Sequence, residues 1–340
     1  MKTAGFDYDF PRELIAQRPT PERDASRMLH LDRATGAITH RSFRDFPDLL
    51  RPDDVMVVNE SRVIKARLHG RRDNGRIAEI LLVHPDVDDT WIAMAHPGGK
   101  LKPGRTVTFD GETQLEIIEV LGGGLRRVRL RGGSWTDVMA RYGDVPLPPY
   151  IDRPPEPDDV DRYQTVFARC DGSVAAPTAG LHFTEQILTR IEQRGTTVVR
   201  VLLHVGPGTF KPVGTDDPAA HVMHAEQYRV SDHAAEAINR ARAAGGRVWA
   251  IGTTVTRVLE TVAAARGDVR GGSGWTDLFI RPPFAFRVVD AMLTNFHLPR
   301  STLLMLVCAF GGYNHVMDGY RTAVTERYRL YSYGDAMVVV

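Results

Sequence analysis

Cysteine is nearly absent. The 340 residues include only Cys170 and Cys308, which excludes a disulfide framework and a cysteine-based zinc site. Lysine is scarce as well, occurring only at Lys2, Lys65, Lys100, Lys102 and Lys211, so Schiff-base chemistry has few nucleophiles to draw on. Neither sign of charge dominates: 43 Lys+Arg face 42 Asp+Glu. A nucleic-acid partner would therefore be held by a local basic patch and not by a global field. The longest apolar run, LLMLVCAF at 303–310, is far below the roughly 20 residues that cross a bilayer. The opening MKTAGFDYDFPRELIAQ lacks the apolar core of a signal peptide, and the expectation is a soluble cytoplasmic protein. Also missing are GxxxxGK[ST], a GxGxxG after a strand, and GxSxG, which removes the P-loop, the dinucleotide fingerprint and the hydrolase elbow.

What remains is an ordinary globular composition, 43% apolar and 25% charged, long enough for two domains or one with an insertion. From about 63 to 131 short β-type runs recur (IAEILLV, WIAMA, RTVTF, QLEIIEV, RRVRL), broken by DNG, HPGG, FDG and LGGG. That spacing predicts a small antiparallel barrel, left through a short helix in SWTDVMARYG. PLPPYIDRPPEPDD reads as a rigid, proline-rich crossing.

Beyond 163 strands and helices alternate. TTVVRVLLHVG, RVWAIG, TDLFI and AMVVV read as strands. EQILTRIEQR (cap Thr184, stop Gly195), SDHAAEAINRARAAGG (cap Ser231 or Asp232), TTVTRVLETVAAARG (cap Thr253 or Thr254) and STLLMLVCAF (cap Ser301) read as helices. The expected architecture is an α/β main domain built from both chain ends, residues 1–62 and 151–340, with an antiparallel β-barrel domain inserted over 63–150.

Four polar loops stand at strand-to-helix or strand-to-loop junctions: APTAGLHFT, LHVGPGTFKPV, AIGTTVTR and LTNFHLPRST. In open α/β sheets ligands sit outside the carboxyl ends of strands, where helix N-termini present free N–H groups. One loop of this kind is explained by helix capping alone; four together suggest the walls of one site. They carry Thr178, His182, His204, Thr253, Thr254, Asn295 and His297. His182 and His204 are candidates for general base or proton shuttle, since imidazole titrates near neutrality. HVMHAE has metal-compatible spacing but no evident fourth ligand, and no metal is expected. Thr253, Arg257 and Glu260 fall on one helix face by i, i+4, i+7 spacing, which suits either a ligand clamp or a solvated face with a helical ion pair.

These blocks, together with FDYDFPRELIAQRP, RDASRMLHLDR, VVNESRVIKARL, PLPPYI, YQTVFA, HVMHAE and YRLYSYGDAM, run in order along nearly the whole chain. So arranged, the chain resembles the S-adenosylmethionine:tRNA ribosyltransferase-isomerase family of the queuosine pathway. The resemblance implies an enzyme that moves the ribosyl part of S-adenosylmethionine onto 7-aminomethyl-7-deazaguanine at the tRNA wobble position, giving epoxyqueuosine in tRNA, adenine and methionine. It implies no metal, S-adenosylmethionine as a consumed co-substrate and not a cofactor, a tRNA anticodon loop as partner, and a monomer.

On that basis His182, His204 and Asp335 are expected in proton transfer. Thr178, Thr253 and Thr254 are expected as polar contacts, Arg257 and Glu260 at the methionine end, and Asn295 and His297 at the purine, ribose or amine. Arg71, Arg72, Arg76, Lys100, Lys102 and Arg105 could grip phosphates from the barrel; a charged, solvated barrel edge accounts for them equally. The family pattern has proline where Lys65 stands, glycine where Pro283 stands and phenylalanine where Leu330 stands. IRPPFAF, around Pro283, is expected beside the site. That leaves open a paralogue using a small deazapurine or other amine, and, from another class, a non-catalytic tRNA-binding protein.

Overall fold

The computed structural model describes residues 1–263 and 267–340. Its main body is a nine-stranded mixed sheet in the order Gly272–Thr276, Glu226–Val230, Thr197–Leu203, Val55–Asn59, Val248–Ile251, Ala291–Asn295, Ala336–Val339, Arg27–Leu31, Ile38–Ser42. The four central strands, Thr197–Leu203 through Ala291–Asn295, run parallel. Three of them (VMVVN, VWAI, AMLTN) are buried along their whole length, as continuous apolar strands covered on both faces must be. Ala336–Val339 runs antiparallel to Ala291–Asn295, pairing Asn295 with Ala336. The residues just before it therefore arrive at the carboxyl end of the parallel set. That end holds the site.

Helices Asp232–Ala243, Thr253–Ala263, Thr302–Gly311 and Tyr313–Thr325 lie on one face, over a core including Val57, Val201, Leu259 and Met305. Helix Glu185–Gln193 and the aromatic group Phe43, Phe46, Phe183 and Trp249 cover the other face. Thr184, Ser231 and Ser301 accept the expected capping bonds from Ile187, Ala234 and Leu304 N–H groups, each 3.2 Å, and Gly195 ends its helix at φ +86°.

The segment from Arg67 to Arg131 forms a closed barrel of six antiparallel strands, Arg67–Arg72, Ile77–Pro85, Thr90–His96, Leu125–Arg131, Gln114–Gly122 and Thr106–Thr108. The last pairs back with the first. A Cβ on Gly70 would stand 2.5 Å from Val107 Cγ1, so closure requires glycine there. Helix Trp135–Tyr142 leaves the barrel, and Gly143–Asp144 adds to its first strand. Outgoing Ser61–Val63 and returning Cys170–Ser173 pair in parallel, stitching the two crossings together. The α/β body with its antiparallel barrel is the architecture the sequence predicts.

Two local expectations are corrected. The strand expected at TDLFI is instead Gly272–Thr276; Thr276 Oγ1 takes the N–H of Leu278 at 3.2 Å and turns the chain out of the ladder despite its apolar residues. Neither Thr253 nor Thr254 is a cap, because Gly252 at φ +96° directly precedes a helix that starts at Thr253. The expected end of that helix, residues 264–266, lies outside the described residues. The proline-rich crossing is packed against the body: Leu147 and Ile151 join a core with Ala16 and Tyr333, and Arg153 grips Asp159 through two bonds of 2.6 and 2.9 Å.

Candidate active site

A cavity opens at the carboxyl ends of the parallel strands. Its walls come from Ala176–Ala179, Val205, Thr209 and Phe210, Gly252–Thr254, Thr294–Leu298, Ser301 and Leu303, and Tyr331–Ser332, with Tyr150 from the proline-rich crossing. Among the described residues that line it, none is Asp, Glu, Lys or Arg. Thr178, Thr253, Thr254, Asn295 and His297 meet here, as the sequence suggested. Tyr150 and Tyr331, with rings 4.8 Å apart, were not foreseen; the Tyr-Ser spacing in YRLYSYGD carries no signal of its own. Tyr331 has φ +70°, an uncommon conformation for a bulky residue that clusters at functional sites.

Asn295 is the best-defined element. Its Nδ2 donates to the Tyr331 carbonyl at 3.3 Å and to His182 Nε2 at 3.2 Å. The carbonyl can only accept, so it sets the amide's orientation, and the bonding pattern then places the imidazole proton on Nδ1, toward Ser26 Oγ at 2.8 Å. Asn295 Oδ1 is left buried with no partner, as is Thr254 Oγ1. Unsatisfied buried polar atoms require an explanation, and gathered on a cavity wall they are suited to a bound ligand.

The three proton-transfer candidates fare differently. His182 does not line this cavity; only 4% exposed, it acts on it through Asn295. Burial, and then the Arg329 and Arg23 charges, lower its pKa to about 3. It is neutral because it is buried, and its pKa is far from that of an efficient base at pH 7. His297 is likewise held to about 3 by burial, with Nε2 bonded to Thr294 Oγ1 at 2.7 Å. Asp335 is removed from the site. Its carboxylate accepts the N–H groups of Arg27 and Arg329, both at 2.8 Å, and burial raises its pKa; it ties two strand ends together. His204 lines a separate cleft between barrel and sheet, with its pKa lowered by burial and then by Arg229. Its Nδ1 has no partner.

The pairing of Arg257 with Glu260 is also corrected. Glu260 is 2% exposed and accepts three backbone N–H groups, from Arg287 at 2.9 Å and from Val288 and Val289 at 3.1 Å. At Glu260 the helix is neither solvated nor open to a ligand. Arg257 instead pairs with buried Glu226 and donates to the carbonyls of Leu278 and Thr276. Glu226 also accepts the Gly206 N–H at 2.8 Å, pinning the 204–210 segment. Arg257 and Glu226 line a further cleft with His221 and His224, which shares Thr209 and Leu303 with the first cavity. The two spaces adjoin.

On the barrel, Arg72, Lys100 and Arg105 surround one concavity with Asp73, and Asp73 pairs with Arg105 at 3.1 Å. Arg71 donates to the Gly75 carbonyl at 2.9 Å; Arg76 and Lys102 lie outside that concavity. The three unusual positions stay away from the cavity. Leu330 is buried in the core, Pro283 lies in an exposed part of its loop, and neither Pro283 nor Lys65 lines it. The expectation that IRPPFAF borders the site is therefore corrected.

Fold and site together define an α/β protein with an inserted barrel and an uncharged, hydroxyl-rich cavity at the carboxyl edge of its sheet. A family model described as queuosine biosynthesis protein matches residues 3–339, and the chain belongs to that family. An S-adenosylmethionine:tRNA ribosyltransferase-isomerase of Symbiobacterium thermophilum is 50% identical, with 100% of both chains covered. One of Moorella thermoacetica is 49% identical over the same coverage. The crystal structure of S-adenosylmethionine tRNA ribosyltransferase from Thermotoga maritima is similar at TM-score 0.58 and 36% identity, covering 99% of this chain and 100% of that one.

Proposed function

We propose that the chain is an S-adenosylmethionine:tRNA ribosyltransferase-isomerase. It transfers the ribosyl group of S-adenosylmethionine, consumed as co-substrate, to 7-aminomethyl-7-deazaguanine at the wobble position of a tRNA anticodon loop. Epoxyqueuosine-tRNA, adenine and methionine are the products. Full-length relatives near 50% identity support the reaction class. The observation that carries the site assignment is the uncharged cavity with three orphaned polar atoms, Asn295 Oδ1, Thr254 Oγ1 and Tyr331 Oη, continuing past Thr209 and Leu303 to a buried Arg–Glu pair.

A neutral, aromatic-walled cavity suits an adenosyl group: Asn295 Oδ1 can accept from an amino or hydroxyl group, and the threonine hydroxyls can either donate or accept. The adjoining cleft suits the zwitterionic methionine end, with Arg257 toward the carboxylate and Glu226, in place of Glu260, toward the amine. The chemistry needs a base to remove a proton beside the sulfonium, a donor for departing adenine, and a neutral attacking amine. Of the three proton-transfer candidates, His204 alone combines an unpartnered ring nitrogen with a cleft wall, next to Val205 on the cavity side, and we assign proton transfer to it. Arg72, Lys100 and Arg105 would meet phosphates from the barrel.

The test is chromatographic detection of adenine and methionine on mixing protein, S-adenosylmethionine and tRNA bearing the aminomethyl base, with mass spectrometry of the nucleosides. Asn295→Ala should weaken S-adenosylmethionine binding about tenfold, the scale of one buried hydrogen bond. Adenine release without tRNA modification would point to a small amine acceptor, and no release at all would leave a non-catalytic binder.

A further inference from the structure

We infer that the cleft between barrel and main sheet, walled by Trp91, His84, Trp275 and His204, is a stacking site for an unpaired RNA base. The inference rests on the tRNA reading above and adds a place for the RNA that the reading does not supply. The cleft offers about 300 Å³, bounded by barrel residues on one side and sheet residues on the other. Of the chain's four tryptophans, Trp275 alone is more than half exposed, at 53%. It stands on the edge strand Gly272–Thr276 with the His84 ring 5.3 Å away at 66°. An exposed indole beside a second aromatic ring, on the wall of a cleft, is a surface on which a flat aromatic ligand can stack.

The opposite wall is specific. Gly172 presses its backbone on the His204 imidazole: a Cβ there would lie 2.6 Å from Cε1 and 2.8 Å from Nδ1, at a φ of +140°. The imidazole is thus fixed in the cleft with an unpartnered Nδ1, a hydrogen-bonding edge beside a stacking face, which is how single-stranded bases are read. Charge at the rim agrees with a strand entering there. Arg62 and Arg229 are exposed, and the carboxylates of Asp171 and Glu60 hold them only loosely, at 3.7 and 3.8 Å. Arg62 Nη2 also donates to the Ala168 carbonyl at 3.1 Å and Arg229 Nη2 to Cys170 Sγ at 3.5 Å, which leaves the remaining N–H groups of both for phosphates flanking a stacked base. Duplex RNA hides its bases and would gain nothing from this arrangement, so the ligand is an unpaired segment. The segment running from His204 through Gly206 separates this cleft from the uncharged cavity, since Val205 lines one and its neighbours the other.

The experiment measures binding of an anticodon-type hairpin RNA, a blunt RNA duplex and S-adenosylmethionine to the full chain, its Trp275→Ala and Trp275→Phe variants, and Gly172→Ala. Trp275→Ala should weaken the hairpin about 5- to 150-fold, the range for one lost base stack, while Trp275→Phe restores most of the affinity. Binding of the duplex and of S-adenosylmethionine should not change. Hairpin binding should also quench tryptophan fluorescence in the wild type and much less in Trp275→Phe. Gly172→Ala, which displaces His204, should weaken the hairpin with the melting temperature followed alongside. Unchanged hairpin affinity in Trp275→Ala overturns the inference, as does a loss confined to S-adenosylmethionine, which would make the cleft an adenosyl site. If the wild type binds no hairpin at all, the tRNA reading falls and takes this inference with it.

Discussion

Truncating Glu260 separates two accounts of one residue. Helical spacing groups it with Arg257 as a ligand clamp, in which case Glu260→Ala lowers S-adenosylmethionine affinity and spares the fold. The structure gives its carboxylate three backbone donors at 2.9–3.1 Å in a site 2% exposed. Alanine leaves all three without an acceptor, and each buried donor so stranded costs about 1–3 kcal/mol. The hole admits some compensation by water, so the expected loss is roughly 3–5 kcal/mol, among the largest a single substitution causes. Glu260→Gln is graded: its amide oxygen can serve Val288 and Val289, but its NH2 then faces the Arg287 N–H. One donor is stranded, for about 1–3 kcal/mol. Urea unfolding gives the stabilities, and calorimetry with S-adenosylmethionine on the still-folded Gln variant gives the affinity. The expected result is a lowered midpoint with affinity within about twofold of wild type (~0.4 kcal/mol). A Glu260→Ala protein with unchanged stability and weakened S-adenosylmethionine binding would refute this reasoning and restore the clamp.

Other expectations follow from the same contacts. His182→Ala should lower kcat/KM by freeing the Asn295 amide, yet leave the pH profile between 5 and 8 unchanged, because an imidazole with a pKa of about 3 does not titrate there; disappearance of a limb near pH 6–7 would make it the base. His204→Ala should lower turnover by roughly two or more orders of magnitude, measured at saturating co-substrate and acceptor with melting unchanged. Stability should fall with acidification. His182 and His297 titrate near 3 when folded against 6.5 otherwise, so the stability their neutral forms contribute is complete above about 6.5 and is lost as pH drops toward 3. The slope is at most about 1.4 kcal/mol per pH unit for each, and urea titrations of His297→Gln should show it shallower. Glu226→Ala should cost about 3–5 kcal/mol by stranding buried Arg257 and should raise hydrogen exchange across 204–210; unaltered melting would contradict a paired, buried Arg257.

The sequence by itself determined the elements whose information is local. Barrel strands announce themselves through alternation and glycine turns, and three helices through hydroxyl caps, because each signal lies within a few residues of what it specifies. The gathering of Thr178, Thr253, Thr254, Asn295 and His297 was legible for a related reason: in a parallel layer all strand ends point one way, so loops of one kind share one edge. Partners were not legible. Arg257 sits three residues from Glu260 yet pairs with Glu226, 31 residues away, because burial turns that helix face toward the strand carrying Glu226. His182 resembled a base in sequence, but only packing brings it to Asn295, 113 positions distant, and only packing removes the water that would have kept its pKa near neutrality. Tyr150 reaches the cavity from a segment whose composition suggests a mere spacer, and His204 faces a cleft that exists only where barrel meets sheet. Residue type fixes what a side chain can do; the dielectric around it and the partner opposite it are set by contacts distant in the chain, and those only the tertiary structure decides.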